Sequence, residues 1–244
     1  MRNYATAQNI GGREMQCDAT AVHTTPAGTS AYVLLDGIGD SESVQTWTRE
    51  AAGRLARHAA RLGDAETALR ELYAMYRARP ANADRYTRDY TEKAAAVVVV
   101  TAPGRPYSVA WSGDSRAYLL QDGTLRRLTN DHNLRRVYPP TDVYPEGGNR
   151  HRITACLGSW RTDEDAMAYA NHPAMEAATV PAAPGRLVLV SDGAYEPIED
   201  NGADLATYLA GPPATAAVNL VETAVAWGGK RPDNATALVA DLPA

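Results

Sequence analysis

The sequence predicts an α+β fold in which sheets are covered by pairs of helices. Strand patterns dominate residues 94–128, where apolar and β-branched runs are separated by turn signals. Helical periodicity comes in consecutive pairs, one pair before this region and one after it. Strands and helices therefore do not alternate in the way that a parallel βαβ array requires.

The first half of the chain contains a strand pattern followed by two helix patterns. The apolar run 31–35 stops at an Asp-Gly turn signal and predicts a strand buried on both faces. Gly63 is expected to end the first helix, and Asp64 is suited to cap the second. Pro80 closes the second helix, and the polar segment 81–91 is predicted to be a loop.

The middle of the chain predicts a run of strands and then a long loop. The predicted strands are 94–100, 107–111, 116–120 and 125–128. The last two form a hairpin around an Asp-Gly turn. Residues 130–152 are rich in proline and glycine, and a loop of this length inside a compact domain is often functional.

The last part of the chain repeats the strand-then-helices order. A buried strand at 187–190 is followed by helical segments at 203–209 and 213–227, and the last strand is 235–242. The acidic, alanine-rich stretch 163–178 has no clear period. We find no linker and no internal repeat, so the sequence predicts one domain over residues 1–244.

Composition limits the functional classes that the chain can belong to. Its 244 residues are 45% hydrophobic and 22% charged, which is ordinary for a globular protein. The net charge of −5 argues against a nucleic-acid partner. No apolar segment reaches the length of a membrane span or a signal peptide, so we expect a cytoplasmic protein without a membrane partner. The sequence leaves the oligomeric state unknown.

The informative feature is an aspartate beside a small residue at the edge of a strand. This design occurs at Asp36-Gly37, Gly113-Asp114, Asp192-Gly193 and Asp233-Asn234. Carboxylates about 4 Å apart at one rim would repel each other by several kcal/mol, and a divalent cation removes that repulsion. Ligands that are all oxygen favour Mg²⁺ or Mn²⁺ over zinc. One Asp-Gly is a common turn, but four such sites predict a centre that binds divalent metal ions.

Several longer motifs lie around these aspartates. The motifs are 36–39 (Asp-Gly-Ile-Gly), 111–118 (with Gly-Asp-Ser-Arg), 128–132 (Leu-Thr-Asn-Asp-His), 153–158, 189–193 and 232–236. In this order they resemble the PPM (type 2C) metal-dependent serine/threonine protein phosphatases of bacterial type. The resemblance runs from Arg13 to Thr236, which is nearly the whole chain.

The resemblance implies the fold and the main site residues. The fold would be a four-layer α-β-β-α sandwich, with two central, mostly antiparallel sheets. Asp36 would bridge two metal ions, and the carbonyl group of Gly37 would bind one of them. Asp192 and Asp233 would complete the coordination of the other ion. Arg13 would bind the substrate phosphate, a task that suits a planar bidentate donor.

The resemblance also implies supporting residues, cofactors and a reaction. Asp114 would help to hold a third, weaker ion, Asp18 would act through water or as an outer acceptor, and Asn234 would position Asp233. The cofactors would be two Mn²⁺ or Mg²⁺ ions with this third. The expected activity is hydrolysis of phosphoserine and phosphothreonine in a phosphorylated protein substrate by a metal-bridging water, without a phosphoenzyme.

Two positions depart from the family pattern. Cys17 replaces a glutamate that supports one metal through water, so the thiol is either a weakened outer group or a direct thiolate ligand. Ile38 replaces a histidine that, in some members, protonates the leaving group. The alternatives to a protein phosphatase are a pseudophosphatase that acts as a binding module and a hydrolase of small phosphoesters. The loop 133–152 is expected to border the cleft and to influence that choice.

Overall fold

Two five-stranded sheets form the centre of the molecule. The structure is a computed structural model that describes residues 2–243. Its strands are β1 (Tyr4–Asn9), β2 (Ala19–Thr24), β3 (Ser30–Gly37), β4 (Ala94–Thr101), β5 (Tyr107–Ser112), β6 (Arg116–Gln121), β7 (Thr124–Arg127), β8 (Glu176–Val180), β9 (Gly185–Val190) and β10 (Ala235–Leu242). One sheet has the order β1-β10-β9-β6-β7 and the other β2-β3-β4-β5-β8, and neighbouring strands are antiparallel.

Helices cover the outer face of each sheet. They are α1 (Glu42–Leu62), α2 (Ala65–Arg77), α3 (Pro80–Ala83), α4 (Leu134–Val137), α5 (Asp163–Ala170), α6 (Asp192–Asp200) and α7 (Pro213–Trp227). Two short 3₁₀ helices span Arg88–Tyr90 and Leu205–Tyr208. Helices α1 and α2 pack on the sheet that contains β3 and β4, whereas α6 and α7 pack on the sheet that contains β9 and β10. Within residues 2–243, no helix combines the length and the apolarity that crossing a bilayer requires.

A third apolar layer joins the two sheets to each other. Leu34 and Val97 from one sheet pack in the same buried cluster as Leu189 and Leu238 from the other. The two remaining clusters lie between each sheet and its helices. This arrangement confirms the predicted α+β fold with two antiparallel sheets between helical layers.

The chain passes between the sheets several times. It begins in one sheet with β1, enters the other for β2 to β5, returns for β6 and β7, and crosses again for β8 before β9 and β10. The first and last strands are neighbours, with Tyr4 opposite Ala240 and the Asp241 amide donating to the Asn3 carbonyl oxygen at 2.7 Å.

The structure differs from the sequence prediction in its less regular parts. It contains β1 and β2 in the first 24 residues, where the sequence analysis predicted no element. Helix α6 was not predicted, because Gly193 and Pro197 lie inside it and both are poor helix formers. The stretch without a clear period contains α5 and β8, and the predicted helix at 203–209 is a short 3₁₀ helix.

Helix ends follow the local signals in the sequence. Ser41 caps α1 through a hydrogen bond from the Val44 amide, so the helix starts earlier than its apolar stripe indicates. Gly63 ends it at φ = 68°, a left-handed conformation that glycine adopts without strain. Asp64 then caps α2 by accepting from the Thr67 amide at 2.7 Å. Gly63 therefore ends α1 and Asp64 caps α2, as predicted.

Candidate metal centre

The aspartates at the predicted strand edges converge at one end of the two sheets. Asp36 lies at the end of β3, Asp192 begins α6 directly after β9, and Asp233 precedes β10. Asp114 lies in the turn between β5 and β6, and Asp18 lies just before β2. The carboxyl groups of Asp36 and Asp192 are within hydrogen-bond reach of each other.

The electrostatics of this cluster are unfavourable without a counter-charge. Burial raises the pKa of Asp36 well above its ordinary value, and the nearby carboxylates of Asp18, Asp192, Asp114 and Asp233 raise it further. Burial likewise raises the pKa of Asp192, and the charge of Asp233 raises it further. The pKa of Asp114 is raised in the same way by burial and then by the charge of Asp192. A divalent cation would remove this repulsion.

An unpaired carboxylate oxygen shows that the cluster fits a cation. Asp114 is 1% exposed, and its Oδ1 has no hydrogen-bond partner among the described residues. A buried oxygen without a donor is costly, and a hard divalent cation is the partner that such an oxygen accepts. Gly37 also fits, since a Cβ there would lie only 2.5 Å from the Cys17 carbonyl oxygen. The residues present therefore fit a divalent cation.

Two further donors beside Asp192 were missed by the sequence reasoning. One ligand atom each of His151, Asp192 and Glu196 lies within 4.8 Å of the others. Glu196 is on α6 one turn after Asp192, and burial followed by the charge of Asp192 raises its pKa to about 8. The i, i+4 spacing would have indicated Glu196 if α6 had been predicted. His151 comes from the long loop, where no local pattern marks it.

Arg13 lies directly beside the carboxylates. Its Nη2 is 2.5 Å from Asp233 Oδ2, and both side chains are more than one-third exposed. Asp40 accepts hydrogen bonds from the amide groups of Glu14 and Met15, the latter at 2.7 Å, and so fixes the backbone that follows Arg13. These two hydrogen bonds lower the pKa of Asp40, and the one from the Glu14 amide has the larger effect. Asp40, which the sequence reasoning did not identify, therefore positions the segment that carries Arg13.

Asn234 links the segment before β10 to the connection between β1 and β2. Its Oδ1 accepts the amide N–H of Cys17 at 2.8 Å, and its Nδ2 donates to the carbonyl oxygen of Ile10 at 2.9 Å. Its own amide donates to Asp233 Oδ1 at 2.7 Å. The side chain thus holds the β1–β2 connection, while the backbone of Asn234 orients Asp233.

Cys17 is buried and its thiol turns toward helix α1. The Sγ atom lies 3.8 Å from the carbonyl oxygen of Ser41, which accepts from the thiol. Burial is the main cause that raises the pKa of the Cys17 thiol. A protonated thiol that faces a carbonyl group favours the interpretation of a weakened outer group over a thiolate ligand.

Asp18 is held from the side opposite the cleft. The Ser191 hydroxyl donates to Asp18 Oδ2 at 2.9 Å, and the Thr236 amide donates to the Ser191 oxygen at 3.0 Å. Burial raises the pKa of Asp18 to about 7 despite these donors, because Asp192 and Asp233 also lie nearby.

Comparison with known proteins identifies phosphatases with the same fold. The family model described as Protein phosphatase 2C matches residues 27–137. The serine/threonine phosphatase MsPP of Mycobacterium smegmatis, solved in complex with cacodylate, is 25% identical with a TM-score of 0.67, and 98% of each chain is covered. The partial match to this family model and the shared fold support a phosphatase of bacterial PPM type.

Other solved PPM phosphatases share the whole fold. PstP/Ppp of Mycobacterium tuberculosis is 23% identical with a TM-score of 0.69, covering 99% of this chain and 98% of that one. The catalytic domain of PstP in complex with two manganese ions is 22% identical with a TM-score of 0.65, covering 99% and 98%. No curated protein sequence matches the chain significantly. The Protein phosphatase 2C match and the MsPP structure together support an enzyme of the class of metal-dependent serine/threonine protein phosphatases.

The Gly-Asp-Ser-Arg hairpin of this chain is braced from two sides. Gly113 has φ = 120°, and a Cβ there would lie 2.4 Å from the Ala95 Cβ. The Gly113 amide donates to His132 Nδ1 at 3.3 Å, so this histidine supports the hairpin. The Tyr195 hydroxyl donates to the Asp114 carbonyl oxygen at 3.2 Å. Both contacts fix the turn that presents Asp114.

Proposed function

We propose that the chain hydrolyses phosphoserine and phosphothreonine in proteins with the help of divalent cations. The observation that carries this proposal is the convergence of buried carboxyl groups around the unpartnered Oδ1 of Asp114. A cluster of this kind, with an arginine beside it, suits the transfer of a phosphoryl group to water.

The proposed ligand set follows the positions of the side chains. Asp36 would bridge two ions, with the Gly37 carbonyl group on one and with Asp192 and Asp233 on the other. Asp114 would hold a third ion with Asp192. Mn²⁺ or Mg²⁺ suits these hard oxygen donors, and a structure of PstP is in complex with two manganese ions.

Two neighbouring residues complete this proposed ligand set. Glu196 and His151 are additional donors on the Asp192 side, since their ligand atoms lie within the same small volume. Asp18 would remain an outer acceptor, because one of its oxygens is already bound to Ser191.

The chemistry divides between the ions and the chain. When bound, the ions would lower the pKa of water and neutralise charge on the phosphoryl oxygens. Arg13 would exchange its present contact with Asp233 for the substrate phosphate, while Asp40 keeps its loop in place. Ile38 is 42% exposed and offers no proton to the leaving group.

Release of phosphate from a phosphothreonine peptide, with and without Mn²⁺, tests the proposal. The wild type should require Mn²⁺, and Asp192→Asn should lose activity by about 100-fold or more, since a central ligand is neutralised. Asp122→Asn in the β6–β7 turn is the matched control, because its left-handed conformation suits asparagine. An aryl phosphate is a poorer substrate for this test, because its good leaving group conceals a missing proton donor.

The second candidate is a pseudophosphatase that uses the same fold to bind a phosphorylated protein. Cys17 in place of a carboxylate favours it, since the thiol adds no charge to the site. Binding of Mn²⁺ by calorimetry without any release of phosphate would support this candidate and overturn the enzymatic proposal. Metal-dependent release that Asp192→Asn abolishes would exclude it.

A further inference from the structure

A second cavity adjoins the metal centre. One cavity, of about 420 Å³, is lined in part by Asp192 and Asp233. The other, of about 500 Å³, shares Arg150 and Glu196 with the first. A peptide whose phosphorylated side chain lies at the aspartates would therefore extend past these two shared residues into the second cavity.

The second cavity is rich in arginine, and we call it the arginine basin. Its arginines are Arg116, Arg127, Arg135, Arg136 and Arg150. Its acidic residues are Asp131, Glu196 and Glu199, so five guanidinium groups face three carboxyl groups along the wall. Arginines therefore outnumber carboxyl groups on the wall, although the whole chain carries a net charge of −5.

Several of these arginines depend on carboxylates that are shared or lie elsewhere. Asp131 binds both Arg116, at 2.8 Å, and Arg127, so one carboxylate serves two guanidinium groups. Arg136 binds Glu176 at 2.5 and 3.0 Å, and Glu176 does not line the basin. Arg116 also binds Glu199 at 2.7 Å, so four of the five arginines form ion pairs, whereas Arg135 forms none within residues 2–243.

Arg150 also has a partner outside the basin. Its guanidinium forms a bidentate pair with Asp200 at 2.6 and 2.5 Å, and Asp200 lines the neighbouring cavities rather than the basin. The same guanidinium lies 3.2 Å from Glu196, at the boundary between the two cavities. Arg150 is thus fixed in place where a peptide would cross from one cavity to the other.

Arg135 has the least compensated charge in the basin. Its only side-chain hydrogen bond within residues 2–243 runs from Nη2 to the carbonyl oxygen of Glu146 at 3.1 Å, so Nη1 has no acceptor there. An arginine side chain in a cavity with an unused donor is prepared for an anion, and its planar fork fits a carboxylate. Arg135 lies on the loop 133–152, which the sequence predicted to border the cleft.

We propose that the arginine basin binds acidic side chains of the substrate, so that the enzyme selects phosphoproteins with aspartate or glutamate close in sequence to the phosphorylated residue. This inference rests on the proposed phosphatase function and adds a substrate class to it. The excess of arginine on the wall and the free donor of Arg135 carry it. The loop 133–152 supplies three of the five arginines, Arg135, Arg136 and Arg150, and acts as the selecting element.

Two phosphothreonine peptides that differ only in glutamate against glutamine at the flanking positions test this inference. The wild type should show a kcat/KM about 10-fold higher for the glutamate peptide, because charge-assisted hydrogen bonds to the glutamate side chains contribute a binding free energy of this order. This ratio should fall when NaCl is raised to about 0.5 M, because added salt screens charges at a solvent-filled cavity. Arg135→Gln should bring the ratio close to one.

Matched variants separate recognition from a loss of structure. Arg135→Lys keeps the charge and should retain part of the preference, whereas Arg57→Gln on α1, remote from the basin, should retain all of it. Thermal unfolding of each variant checks that the fold is intact. A wild-type ratio of one, or an unchanged ratio in Arg135→Gln, would overturn the inference while leaving the phosphatase function intact.

A binding measurement keeps the inference testable if neither peptide is hydrolysed. Fluorescence anisotropy of the unphosphorylated, labelled peptides should show tighter binding of the glutamate peptide, and Arg135→Gln should remove the difference. Equal binding of both peptides would overturn the inference. Failure of hydrolysis with preferential binding would instead overturn only the enzymatic proposal.

Discussion

Asp18 shows how a single buried carboxyl group links the site to stability. Its pKa rises from the ordinary 3.8 to about 7 in the folded chain, chiefly through burial. A raised pKa means that its contribution to stability is present below pH 3.8 and is lost as the pH rises through 7. The metal-free protein therefore carries an increasing penalty from Asp18 across this window.

Asp18→Asn should remove that penalty, because the amide oxygen still accepts from Ser191 but carries no charge. Without metal, the variant should match the wild type near pH 4 and exceed its free energy of unfolding at pH 8 by on the order of 2–4 kcal/mol. Urea unfolding in chelator at both pH values measures this difference. A pH-independent difference between the two proteins would contradict the assigned cause.

Cys17→Ser tests the role of the buried thiol. Since the thiol faces the Ser41 carbonyl group, a hydroxyl can take its place, and the affinity for Mn²⁺ should change by less than about threefold. Calorimetry of both proteins with Mn²⁺ and with Cd²⁺ measures this. A large loss of affinity, confined to the thiophilic Cd²⁺, would instead identify a thiolate ligand.

Sequence reasoning located the site residues that repeat a local pattern. Asp36, Asp114, Asp192 and Asp233 stand beside glycine or asparagine at strand edges, and the fold brings these edges together. The remaining residues depend on tertiary position, and no such pattern marks them. Asp40 acts through the backbone of a distant loop, an effect that no spacing in the sequence records.

At the scale of elements, Asn234 ties the start of β10 to the β1–β2 connection. Asn234→Ala would leave the buried Cys17 amide and the Ile10 carbonyl group without partners. We expect a loss of about 2–4 kcal/mol in the free energy of unfolding and a several-fold higher KM for a phosphopeptide, because the loop with Arg13 loosens. Chemical unfolding and steady-state kinetics measure these effects.

The exposed Asn201→Ala is the control for this variant. Its amide also bonds to a carbonyl oxygen, that of Pro197, but in contact with solvent. Water can replace that partner, so the loss should stay below about 1 kcal/mol. Equal losses of unfolding free energy in Asn201→Ala and Asn234→Ala would show that the buried hydrogen bonds of Asn234 stabilise the fold no more than an exposed one.

Elements were predictable where burial is uniform and unpredictable where it is mixed. Strands β3, β4 and β9 are continuous apolar runs, and their positions were found to within a few residues. Strand β1 alternates partly buried with exposed positions, and its polar residues conceal it. Helix α6 begins with Asp192, a residue of the candidate metal centre. The residues there are therefore not those that helix propensity would favour.

At the scale of the whole molecule, the repeated crossings of the chain predict one cooperative unit over residues 1–244. Leu238 on β10 is fully buried between the sheets. Leu238→Ala should lower the free energy of unfolding by about 2–5 kcal/mol and still give a single transition. Circular dichroism and tryptophan fluorescence, recorded on the same samples, should coincide.

Leu62→Ala is the matched control for this prediction. Leu62 is 43% exposed at the end of α1, so its truncation should cost less than about 1 kcal/mol. If the two optical probes reported separate midpoints in Leu238→Ala, the two halves of the sandwich would unfold independently. The single-domain prediction would then be wrong.

The pairing of β1 with β10 places the two ends of the described chain side by side. Asn3 and Asp241 are joined by a backbone hydrogen bond, so a linker of a few residues would connect the ends without disturbing either strand. The β6–β7 turn at Asp122 and Gly123 is exposed and lies away from the aspartates. The architecture is therefore suited to circular permutation, with new ends in that turn and Arg13 moved to the interior of the polypeptide.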